Sequence, residues 1–144
     1  MHRLAKIFRE RVKRIPIMVD PASCDRSGRV CVNRVCAHPA QESCEVVFID
    51  LSWEFDDELG LHRFAGDLRA KLACRSHGKA LRDQRKVPDE HKGKTLILPT
   101  PCMGPNGRNG VFSLIYGKDV WLEEFVEFAS GLPEKPVLVL VLEP

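Results

Sequence analysis

Asp50 and Ser52 interrupt the apolar run 45–53, and Ser113 interrupts a second apolar run at 111–117. A carboxylate beside hydroxyls inside buried strands is the raw material of acid–base or metal-assisted chemistry. Burying such a carboxylate is costly unless it is paired, which makes Asp50 the first catalytic candidate, with Ser52 and Ser113 beside it. The plainer alternative puts Asp50 at the exposed end of its strand, bonded to backbone or to an arginine. Just beyond it, Glu54, Asp56, Asp57 and Glu58 offer the oxygen ligands that Mg²⁺ prefers. Acids in that position also cap a helix N-terminus and oppose its dipole, which is their more ordinary use.

Six cysteines are many for a chain of 144 residues, and Cys24, Cys31, Cys36 and Cys44 fall close together near His38. No Cys-x-x-Cys occurs, so neither a zinc knuckle nor a thioredoxin-type redox pair is signalled. Free thiols packed as small hydrophobes, with no metal, disulfide or cofactor, are the expectation. Cys74 or Cys102 would serve as a nucleophile only with a histidine within hydrogen-bond reach, a geometry that spacing does not supply.

Charge is uneven although the net value is only +2. Residues 69–94 carry nine Lys/Arg against three acids, and residues 1–14 carry six against Glu10 alone. By contrast 45–60 holds six acids and no Lys/Arg. A basic face steers anions, so Arg75, Lys79, Arg82, Arg85 and Lys86 are binding candidates for nucleic-acid phosphates. Base stacking calls for aromatic rings, and none lies within that segment. The run Met103-Gly104-Pro105-Asn106-Gly107-Arg108-Asn109-Gly110 has amides and one arginine for an anion, but it lacks Gly-Lys-Ser/Thr and opens no helix. It reads as a hairpin loop.

The elements that must position these groups follow from periodicity. Leu4, Ile7, Phe8 and Val12 recur at helical spacing over 2–14; 15–19 is extended around Pro16, and 29–37 reads as a strand in a hairpin. Strands are predicted at 45–53, 94–99, 111–117 and 136–143. In the first, Val46, Phe48, Asp50 and Ser52 share one face and Val47, Ile49, Leu51 and Trp53 the other. Helices are predicted at 57–73 and at 119–131, the second capped by Asp119 and stopped at Gly131. Residues 75–93 read as a basic loop with one helical turn near Ala80-Leu81.

That order, β-α-β-β-α-β, predicts an α+β fold of the ferredoxin-like split βαβ type with an antiparallel sheet. Residues 1–44 would extend a 45–144 core, the whole being a single domain. The strand pair 45–53 and 111–117 would then be central neighbours, bringing Asp50 towards Ser113, and 137–142 would be a sheet edge. All four strands are apolar on both faces, so a second cover is required, from the N-terminal segment or from a partner copy. A homodimer is therefore expected.

No apolar run approaches the roughly 18–20 residues that span a bilayer, and no apolar segment follows the charged N-terminus, so a cytoplasmic protein without membrane contact is expected. The aromatic signature of RNA-binding sheets is missing. The functional expectation is a non-enzymatic binding module for a ligand, protein or nucleic-acid partner; the alternative is a small metal-dependent hydrolase or phosphodiesterase centred on Asp50.

Overall fold

A computed structural model describes residues 10–19, 42–50, 63, 65–104, 107–131 and 133–143. Seven strands lie in one mixed sheet: β1 (Ile15–Val19), β2 (Glu42–Asp50), β3 (Ala70–Leu72), β4 (Thr95–Met103), β5 (Asn109–Gly117), β6 (Val120–Glu127) and β7 (Pro136–Leu142). One helix, α1 (Arg75–Asp83), packs against it, and short 3₁₀ turns occupy Asp89–His91 and Phe128–Ser130. Strand makes up 52% and helix 22% of the described residues, and the sheet curls into a half-barrel, so the ferredoxin-like α+β expectation is overturned.

The strand order is β1-β2-β7-β4-β5-β6, with β3 also on β7. β7 lies inside the sheet, antiparallel to β2 on one side and parallel to β4 on the other. Its Val137, Val139 and Val141 enter a core with Ile17, Val46, Leu81, Leu96 and Phe112. Its Leu138, Leu140 and Leu142 enter a second core with Val47, Ile49, Leu68, Leu72 and Ile97. A strand apolar on both faces belongs where both faces are covered. The expected position of 137–142 at an edge is thus corrected, and with it goes the argument for a homodimer. The second face is covered by Ala65 and Leu68, with Val12 packed against them.

Two prolines explain the curl. The ladder of β4 with β5 shifts register between Leu98 and Cys102, where Pro99 and Pro101 have no N–H to give. β4 bends away from β7 there, and β3 takes the vacated edge, with Leu72 opposite Leu140. Thr100 ties the two together: its N–H donates to the Ala73 carbonyl at 3.1 Å and its hydroxyl to the Leu72 carbonyl at 2.9 Å.

Two expected elements change type. Residues 75–83 form a helix, not a loop; Gly78 lets it sit close, since a Cβ there would meet Leu98 Cδ1. Residues 120–127, expected as helix, are strand β6, paired with β5 from Gly117↔Val120 to Gly110↔Glu127. Lys118 and Asp119 join the two with φ of 53° and 64°, a two-residue turn of the I′ type. Of the expected helix 57–73, residues 63 and 65–67 are helical, 70–72 are strand, and 57–62 and 64 lie outside the described residues. The 29–37 strand and most of the 2–14 helix also lie outside them.

Candidate functional site

The end of α1 and the chain after it carry the basic segment, and the β5–β6 hairpin rises opposite. Between them lies an open groove of about 510 Å³. Arg82, Arg85 and Lys92 line it from the helix side, and Tyr116, Asp119 and Trp121 line it from the hairpin. The β5–β6 register places Tyr116 directly opposite Trp121, and their rings meet edge to face at 5.4 Å. Both rings are half-buried, packed at the base and open to the groove.

The charges in the groove are partly spoken for. Lys92 Nζ stands 3.2 Å from Asp89 and 4.6 Å from the centre of the Tyr116 ring. The Asp89 hydrogen bond, with Tyr116, holds the Lys92 ammonium above its ordinary value, so it stays charged. Asp83 accepts from Lys79 at 2.7 Å. Arg82 and Arg85 make no ion pair among the described residues. A half-buried indole near two guanidiniums suits a planar, anionic ligand.

The basic candidates therefore divide. Arg82 and Arg85 face the groove, and Lys86 lies beside it in an adjoining hollow. Arg75 is committed elsewhere: its Nε and Nη2 donate to both Glu123 carboxylate oxygens at 2.8 and 2.7 Å, and its guanidinium lies 4.7 Å from the Phe112 ring. This clamp joins the start of α1 to β6. Lys79 is held by Asp83 outside the groove.

Asp50, at the end of β2, pairs with Lys94 at 3.7 Å, its side chain 59% exposed. Ser113 is buried on β5 and donates to the Glu124 carbonyl at 3.4 Å. β7 and β4 separate β2 from β5, so the expected meeting of Asp50 with Ser113 does not occur; three strand spacings are roughly 14 Å. Ser52 and the acids at 54–58 lie outside the described residues, as do Cys24, Cys31 and Cys36. Among the described residues no three His, Cys, Asp or Glu side chains converge as metal ligands. In the Gly-rich loop, Gly104 and Gly107 donate their N–H groups within the loop, and Arg108 pairs with Glu127 at 3.1 Å.

One cluster was beyond sequence reasoning because its geometry is local. Cys74 caps α1, and its Sγ lies 2.9 Å from Ser76 Oγ and 3.3 Å from His77 Nδ1. His77 Nδ1 also accepts the Cys74 N–H at 2.9 Å, so that nitrogen carries no proton and its one lone pair is engaged by the backbone. Cys74, Ser76 and His77 are all buried, and the trio locks the helix start. Cys102, also buried, donates to the Thr100 carbonyl at 3.4 Å.

The aromatic half of the groove escaped the sequence reading for a different reason: Tyr116 and Trp121 lie far from the basic segment in the chain and close to it in space. No protein-family model, no curated protein and no solved structure matches the chain. No helix among the described residues is long and apolar enough to cross a membrane.

Proposed function

We propose that this chain is a non-enzymatic binding module whose ligand is anionic and carries a planar ring, as a nucleotide does. The observation that carries this is the meeting of Tyr116 and Trp121 with Arg82 and Arg85 across one open groove. Trp121 stacks against the ligand's base, braced edge to face by Tyr116, whose own ring is covered by Lys92, while the guanidiniums hold the phosphate in bidentate fashion. Catalysis has less to stand on, since the thiol–imidazole cluster is sealed and Asp50 is tied to Lys94 at the sheet's rim.

Trp121 is the natural reporter. With Trp53→Phe removing the only other tryptophan, uridine or adenosine monophosphate should quench its fluorescence saturably. Uridine alone and inorganic phosphate alone should bind more weakly than the nucleotide. Replacing Arg82 and Arg85 together with Ser should weaken nucleotide binding roughly tenfold or more, the worth of a charge-assisted hydrogen bond. Equal binding of nucleotide and bare phosphate would sink the stacking half of the proposal, and no quenching at all would sink the whole.

A further inference from the structure

A second hollow, of about 450 Å³, lies next to the ring-lined groove and shares Arg85, Val87 and Asp89 with it. Its remaining charge comes from Lys13, Arg14 and Lys86, with Pro16 and Pro88 as apolar wall. Among the described residues four cations thus face one acid, and that acid, Asp89, is already held by Lys92. Arg14 also reaches Glu45 at 3.8 Å between exposed side chains. No aromatic ring among the described residues lines this hollow. The chain just before β1 and the segment after α1 meet here, which is why two basic stretches far apart in sequence form one strip.

We infer that the two hollows form a single track for a single-stranded oligonucleotide, with a base stacked at Trp121 and the following phosphates laid along Arg85, Lys86, Lys13 and Arg14. This rests on the nucleotide reading of the ring-lined groove. A mononucleotide brings one phosphate, which Arg82 and Arg85 suffice to hold, and leaves the second hollow without a ligand. A chain of phosphates fills both hollows and releases the counterions of both. A duplex keeps its bases stacked inside and has none to offer Trp121. An acidic peptide would satisfy the cations but leave the rings unused.

The test compares oligouridylates of one to eight nucleotides, using Trp121 quenching in the Trp53→Phe protein and varying salt. Affinity should rise with length and level off at about four nucleotides, the small end of the range for single-strand grooves. The logarithm of the affinity should fall with the logarithm of salt concentration. Replacing Lys13, Arg14 and Lys86 together with Ala should lower that slope by about 2, at about 0.7 per phosphate contact for a single strand. The same triple variant should bind uridine monophosphate as the parent does and melt at the same temperature. If the monophosphate binds but length brings no gain, or the triple variant keeps the parent's slope, the track is wrong and the nucleotide site stands. If neither monophosphate nor oligomer quenches Trp121, both fall. Binding of a duplex or of poly-glutamate as tight as the single strand would overturn the assignment of ligand class.

Discussion

At the scale of single residues, the informative groups are those whose surroundings the sequence could not supply. His91 is one. It is buried with its ring 5.0 Å from that of Phe48, and Nδ1 has no hydrogen-bond partner among the described residues. Burial lowers its pKa from the ordinary 6.5, reinforced by Lys94 and Lys13 and opposed by Glu90 and Asp50. The folded chain therefore keeps His91 neutral where the unfolded chain would protonate it. Stability should be full above pH 6.5, fall as the pH drops below it, and level off once the folded-state pKa is passed. Thermal melts between pH 7.5 and 5 should show this decline, and His91→Phe should flatten it while keeping a ring against Phe48. An undiminished decline in the variant would assign the acid sensitivity to another group. Asp50, singled out for its apolar run, is exposed and pairs with a lysine, where backbone or an arginine was the alternative considered. Its partner Lys94 lies just before β4, which β7 separates from β2 in the sheet, and nothing in the spacing announces that.

At the scale of elements, legibility depended on which periodicity the residues could tell apart. The alternation of β2 was readable in detail: Val46 and Phe48 serve one core, Val47 and Ile49 the other. In β6 the signal was ambiguous, because Trp121 and Phe125, four apart, share a face in a helix and in a strand alike. The Asp119 cap and the Gly131 stop then tipped the balance towards helix, against the pairing with β5 that prevails. Helix α1 was missed for the opposite reason: of its buried residues Ser76, His77, Gly78, Ala80 and Leu81 only the last is a large apolar one, because the helix lies too close to β4 for a broad apolar stripe. The turn between β5 and β6 hid itself too, since Lys118-Asp119 replaces the Asn-Gly that usually marks a I′ turn. That choice has a cost, as both residues sit in the left-handed region, where a side chain is disfavoured by about 1–2 kcal/mol. Glycine at 119 relieves it and gives some back as unfolded-state entropy. Asp119→Gly should therefore stabilise the chain by about 0.5–1 kcal/mol, read as a higher urea midpoint. It also removes an acid from the groove wall, so nucleotide binding should tighten. A lower midpoint would mean that the aspartate side chain holds the turn.

At the scale of the molecule, the predicted strands near 45–53, 94–99, 111–117 and 136–143 overlap β2, β4, β5 and β7 of one sheet, residues 51–53 lying outside the described ones, but the sheet is a mixed half-barrel and not the ferredoxin-like one expected. Their order was not legible through a borrowed topology. The better guide lay in β7 itself: six consecutive apolar residues, Val137 to Leu142, all buried, mark the middle of a sheet better than its edge. Leu140 shows what that position means. It is fully buried, opposite Val47 of β2 on one side and Leu72 of β3 on the other. Leu140→Ala removes packing from both neighbours, in a place braced by strands on each side and slow to collapse around the void. The expected loss is about 2–5 kcal/mol, a large share of the roughly 5–15 kcal/mol that holds such a domain folded. Leu122, on β6 at the sheet's other end, is 39% exposed, and Leu122→Ala should cost less than about 1 kcal/mol. Urea unfolding of the two variants beside the parent makes the comparison. Equal losses would mean that β7 does not occupy the centre of the sheet, and the order of strands would have to be redrawn.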